Sequence, residues 1–140
     1  MTQSQFLFDS NAIYRLIREI PQEAVEKLVE GTTIYLAYYE LGNALWRECL
    51  LLKRISSAEA EKSLDLMYSI LDRMQIASLD NETGSEVLQT ALKFNLTFYD
   101  AAYLIEAKKS GKILVTDDNK LAEAAENMGM KTLSSRTLMQ

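Results

Sequence analysis

Gln5-Phe6-Leu7-Phe8-Asp9-Ser10-Asn11-Ala12-Ile13 is the stretch whose reading decides the fold of this chain. A short apolar run ends on a carboxylate, Ser10-Asn11 bring capping oxygens, and Ala12, Ile13, Leu16 and Ile17 then recur at helical spacing. The pattern predicts strand, turn, helix. The same order returns near the other end, where residues 112–116 form a compact apolar strand, Asp117-Asp118 follow, and a helix to Met128 turns Leu121, Ala122 and Ala125 inward.

Between these units the alternation continues. Pro21 opens a helix that carries Ala24, Val25 and Leu28 and stops at Gly31, and the β-branched and aromatic residues 32–36 predict a second strand. Residues 38–52 show the helical stripe Leu41, Leu45, Cys49 and Leu52, widened by Leu50 and Leu51. Ser56-Ser57-Ala58-Glu59 has capping-box spacing ahead of a long helix marked by Ala60, Leu64, Met67, Leu71 and Met74. A short strand at 75–79, a helix with Val87, Leu88, Ala91 and Leu92, another from near Tyr99, and a last strand at 131–134 complete the reading. Strands separated by crossover helices predict a three-layer α/β/α sandwich around a parallel sheet of four to five strands, as one domain over residues 1–140.

Composition narrows the chemistry. With 140 residues the chain buries one substantial core, and with no histidine it has neither a Ser-His-Asp nor a Cys-His nucleophile system and no histidine-bound zinc. Cys49, the one cysteine, lies in an apolar context and reads as a small buried hydrophobe. No basic segment leads into a long apolar run at the amino terminus, and no run approaches a bilayer span, so a cytoplasmic protein without membrane contact is expected. The net charge of -5 disfavours nucleic acid unless several of those charges bind cations, which reverse the local sign.

Carboxylates stand where solvent-seeking groups are least expected: Asp9 after Phe6-Leu7-Phe8, Glu40 in Tyr38-Tyr39-Glu40-Leu41, Asp100 before Ala101-Ala102-Tyr103, and Asp117-Asp118 after Ile113-Leu114-Val115. Asp9, Asp100 and one of Asp117 and Asp118 also suit helix caps, and Glu40 has no cation four residues on with which to pair. In parallel α/β sheets ligands sit outside the carboxyl ends of the strands, where Asp9 and Asp117-Asp118 both fall. Crowded like charges require cations, protons or hydrogen-bond donors, and hard divalent ions prefer carboxylate oxygens.

Four ordered segments resemble the PIN-domain family, in particular the ribonuclease toxin of VapBC toxin-antitoxin pairs: Phe8-Asp9-Ser10-Asn11, Tyr39-Glu40-Leu41-Gly42-Asn43-Ala44-Leu45-Trp46, Leu96-Thr97-Phe98-Tyr99-Asp100-Ala101-Ala102-Tyr103-Leu104, and Leu114-Val115-Thr116-Asp117-Asp118-Asn119-Lys120-Leu121. The resemblance implies an acidic quartet of Asp9, Glu40, Asp100 and Asp118 that binds Mg2+ or Mn2+, with Asp117 as a further metal carboxylate and Asn11 and Thr116 as polar supports. It also implies hydrolysis of RNA phosphodiester bonds by a metal-dependent endoribonuclease, an antitoxin partner and a homodimer. Leu36-Ala37-Tyr38-Tyr39 lacks the Pro or Ser common before the family's glutamate, which leaves the approach to Glu40 open.

Arg15, Lys93 and Lys120 are ordinary surface cations or phosphate contacts and stay outside the predicted site. The apolar faces carrying Trp46, Met67 and Tyr68 serve either packing within the domain or a partner helix. Two rival readings remain at this stage: a catalytically silent PIN-like binding module, and a receiver-like phosphoacceptor domain, whose acid pair would come early rather than at Asp117-Asp118.

Overall fold

The computed structural model describes residues 5–140; Met1 to Ser4, on which the expectation of a missing leader partly rests, lie outside the described residues. Five strands, β1 (Phe6–Phe8), β2 (Thr32–Ile34), β3 (Gln75–Ala77), β4 (Ile113–Val115) and β5 (Thr132–Leu133), form one parallel sheet in the order β3-β2-β1-β4-β5. The helices are α1 (Ser10–Glu19), α2 (Pro21–Val29), α3 (Leu36–Trp46), α4 (Ser57–Leu71), α5 (Asn81–Phe94), α6 (Phe98–Ser110), α7 (Asn119–Asn127) and α8 (Ser135–Met139).

The order of the strands explains the layers. From β1 the chain steps one way to β2 and β3 through α1 to α4, then returns across the sheet to β4 and β5 through α5 to α7. Right-handed crossovers in opposite directions must lie on opposite faces. Phe8 and Val115 accordingly pack with Ile13, Leu16, Leu41 and Met67 on one face, and Leu7 and Leu114 with Tyr103, Leu104 and Leu121 on the other. Alternation along each strand thus sends neighbouring side chains into two separate cores. Gly31 permits the first to close, because a Cβ there would stand 2.5 Å from the ring of Phe8. A receiver-like domain needs the order 2-1-3-4-5, so the present sheet excludes that rival.

The predicted three-layer sandwich is therefore present, with five strands. Several boundaries differ. Tyr35 and Leu36, predicted at the end of β2, instead precede and open α3, and residues 47–51 form a π-helical turn, with the Leu52 amide bonded to the Arg47 carbonyl at 2.9 Å. Cys49 lies in that wide turn and is half-buried rather than enclosed. The Ser56–Glu59 capping box forms as spaced, with both reciprocal bonds made. Helix α8 was not anticipated, since five residues with two large apolar side chains offer little periodicity. Met67 is buried and the Tyr68 hydroxyl donates to the Tyr38 carbonyl at 2.6 Å, so α3 and α4 spend much of their apolar surface on each other. Trp46, Leu50, Leu51 and Leu52 stay exposed. Among the described residues no helix is long and apolar enough to cross a membrane.

Candidate metal and active site

The order in which strands are added reverses between the parallel neighbours β1 and β4, whose ends are locked in register with Phe8 beside Val115 and the Asp9 amide bonded to the Val115 carbonyl at 3.1 Å. The next residues of both strands, Asp9 and Thr116, meet there. Asp9 caps α1 by accepting from the Ala12 amide at 2.8 Å through Oδ1, while the Thr116 hydroxyl donates a short hydrogen bond to Oδ2. Thr116 also accepts from the Asp118 amide at 3.1 Å, so one buried hydroxyl ties together two of the predicted ligands.

Asp118 begins α7 in the same manner, its Oδ1 taking the amides of Lys120 and Leu121 at 2.9 and 3.1 Å. The capping and ligand readings of Asp9 and Asp118 are compatible, since each caps its helix and both line one cavity. Asp100 sits in the first turn of α6. Asn95, in the left-handed conformation at φ 56°, ends α5, and Thr97 then caps α6 by accepting from the Asp100 amide at 3.0 Å.

Glu40 is held from two directions. The Ser10 hydroxyl donates to Oε1 at 2.9 Å and the Tyr103 hydroxyl donates to the same oxygen at 2.7 Å. Burial, and then the neighbouring Glu40 charge, push the Tyr103 phenol far above its ordinary range, which keeps Tyr103 a donor. Neither Ser10 nor Tyr103 was assigned to the site from the sequence. Their signals were adjacency to Asp9 and a place one helical turn beyond Asp100.

These residues surround one hollow of about 490 Å³, lined by Asp9, Ser10, Asn11, Glu40, Asp100, Tyr103 and Asp118 and continued by Tyr14, Asn43, Ala44, Arg47, Glu48 and Leu52 along the groove between α1 and α3. Four acids from four separate segments thus share a single cavity. Burial pushes the Asp9 carboxyl up to about 7 against the lowering effect of Thr116 and Ala12, with the charges of Asp117 and Asp100 adding to the rise. Asp100 is raised as well, first by burial and then by the Asp118 charge. Asn11 is exposed at the wall.

Asp117 is placed differently. Its Oδ1 accepts from the Ser135 amide at 2.8 Å and its Oδ2 from the Ser135 hydroxyl at 2.6 Å, with the Arg15 guanidinium 3.6 Å away, and it lines a second hollow beside α8. Arg15 is engaged there and with Glu19 at 2.9 Å. Lys93 lies against Phe94 in another hollow, whereas Lys120 is near enough to lower the Asp100 carboxyl.

Comparison with known proteins identifies the family and the fold. The model of the PIN domain matches residues 6–127. "Exonuclease VapC9" of Pyrobaculum aerophilum is 35% identical over 139 residues, covering 97% of this chain and 98% of that protein, and "Ribonuclease VapC3" of the same organism is 33% identical over 128 residues, covering 85% and 93%. Among solved structures, PAE2754 from P. aerophilum superposes with a TM-score of 0.79 at 28% identity, covering 99% of this chain and 96% of that one. DNA-bound VapBC from Salmonella typhimurium does so with a TM-score of 0.70 at 15% identity, covering 95% and 99%, a likeness of fold alone. The chain belongs to the PIN domain family.

Proposed function

We propose that the hollow is the active site of a Mg2+- or Mn2+-dependent endoribonuclease in which Asp9, Glu40, Asp100 and Asp118 are the catalytic, metal-holding carboxylates. The observation that carries this reading is the convergence of these four acids on one cavity at the reversal point of the sheet, with Asp9 and Asp100 held above the ordinary carboxylate range. A cation stabilises these buried carboxylates, and offsets the charge of their neighbours, without a proton.

The residues fit a hard divalent ion. Every donor is an oxygen, and Mg2+ usually takes only one or two carboxylates while keeping several waters. Among the described residues no three acidic side chains already close on a point, so the four carboxylates line the hollow without forming a closed ligand cage. The chemistry supplied by a bound divalent ion is a lowered pKa for water and neutralisation of charge growing on the phosphate. The chain's own part is positional: Thr116 orients Asp9 and Asp118 together, Ser10 and Tyr103 leave the second oxygen of Glu40 for the cavity, and Asn11 supplies a polar wall.

The relatives' names, an exonuclease and a ribonuclease of the VapC type, support nucleic-acid hydrolysis by a toxin with an antitoxin partner, and a homodimer belongs to the same reading. The exposed Trp46, Leu50, Leu51 and Leu52 beside the groove suit a partner of that kind. Asp117 belongs with the support of α8 rather than with the metal.

The test is cleavage of a mixed RNA pool in Mg2+ or Mn2+, with and without chelator, by the parent and by Asp100→Asn. Chelator is expected to abolish cleavage and the substitution to reduce it roughly a hundredfold or more. Circular RNA included in the pool should be opened, because only an endonuclease cuts a strand without ends. Cleavage indifferent to metal, or an Asp100→Asn protein as active as the parent, would sink the reading, and a parent that binds metal but cuts nothing is the silent binding module.

A further inference from the structure

Arg47 lines the acid hollow, is the one cation among its lining residues, and enters none of the ion pairs found among the described residues. Its neighbour Glu48 is taken by Arg54 at 3.5 Å. A guanidinium that shares a cavity with four carboxylates and pairs with none of them is left available for an anion once cations occupy the acids. Resting on the reading of that cavity as an RNA-cleaving site, we propose that Arg47 binds a phosphate of the substrate strand one linkage away from the bond that is cut.

The position supports this. Glu40, Asn43, Ala44 and Arg47 follow one face of a continuous helical path, so Arg47 stands two turns, about 10.5 Å, along the groove from Glu40. Long helical side chains slant back towards the amino end, which returns the guanidinium towards the acids. Its planar fork matches phosphate oxygens in pairs. The helix changes to a π-helical turn at this residue, a rare distortion often found at functional sites, and the turn brings Leu52 into the same wall. In addition, the Tyr14 hydroxyl in this part of the wall is buried without a partner, which leaves one donor beside Arg47 unused by the protein alone.

The experiment uses the intact protein, Mg2+ or Mn2+, and a short single-stranded RNA that the parent cuts at one mapped bond. Arg47→Gln is expected to lower kcat/KM roughly ten- to a hundredfold and to reduce the slope of log affinity against log salt by about 0.7. The melting temperature and the divalent-ion midpoint should not move, and Arg47→Lys should recover part of the loss. An uncharged methylphosphonate placed on either side of the cut bond in turn should cost the parent a similar factor on one side, and cost Arg47→Gln nothing further there. Cleavage by Arg47→Gln equal to the parent's, losses that add on both sides, or a shifted metal midpoint with unchanged RNA affinity overturn the proposal and leave the reading of the acid site standing. A parent that cuts no RNA with any divalent ion overturns both.

Discussion

The hydroxyl of Tyr103 donates to Glu40 across 2.7 Å, joining α6 to α3 over a sequence separation of 63 residues. Together with the Ser10 hydroxyl on the same oxygen, it holds Glu40, an acid on a half-exposed helix face, at the cavity. Tyr103→Phe keeps the buried ring and removes only the donor. About 1 kcal/mol of stability should be lost, and the divalent-ion concentration for half-maximal cleavage should rise roughly tenfold. A metal titration of parent and variant measures this, and an unmoved midpoint would reduce Tyr103 to a packing residue.

The raised Asp9 carboxyl sets a pH dependence in the absence of metal. Its folded value of about 7 exceeds the ordinary 3.8, so the folded protein holds a proton that the unfolded chain has released between those values. The stabilisation is complete below about pH 4 and is lost as pH rises to about 7, at most about 4 kcal/mol. Denaturant unfolding in chelator at pH 5 and pH 8 should show the parent losing stability relative to Asp9→Asn as pH increases. Adding Mg2+ or Mn2+ should flatten the parent's slope, because the ion favours the deprotonated form.

Asp117 and Asp118 are adjacent yet face different tasks. Asp117→Ala removes both bonds to Ser135 and should cost about 1–3 kcal/mol, with faster amide exchange confined to α8, while the metal requirement of cleavage stays put. Asp118→Ala should cost a helix cap, about 1 kcal/mol, and nearly all activity. A large rise in metal requirement for Asp117→Ala would return Asp117 to the ligand set.

Tyr14 carries a buried hydroxyl with no hydrogen-bond partner, and burial raises its pKa. Tyr14→Phe preserves the ring, which faces the Arg18 guanidinium at 5.6 Å, and deletes the unpaired group. The variant is expected to be about 1 kcal/mol more stable than the parent in denaturant unfolding. A loss of stability of that size would mean that the hydroxyl has a partner in solution.

The sheet and its helices were legible from local signals, because strand runs that end on acids and helices with spaced apolar residues record burial directly. Asp9 and Asp118 were legible for the same reason: a strand end in a parallel sheet is already a place. Tyr103 was not, since its apolar neighbours describe packing and say nothing of a hydroxyl that reaches another helix. Arg47 was hidden in the stripe around Leu45 and Cys49, and the π-helical turn that follows it has no sequence spacing of its own. Arg15, by contrast, looked available and is occupied by Glu19 and Asp117, an arrangement that depends on the unpredicted α8.

The bond from Thr116 to Asp9 spans 107 residues and joins the first strand of the chain to the fourth. During synthesis, β1, β2 and β3 can leave the ribosome and pair while Asp9 still lacks both Thr116 and Asp118. No partial chain short of β4 holds the assembled cavity, since a product that stops there carries Asp9, Glu40 and Asp100 but neither Thr116 nor Asp118, and the four acids meet only once β4 and the start of α7 have been made.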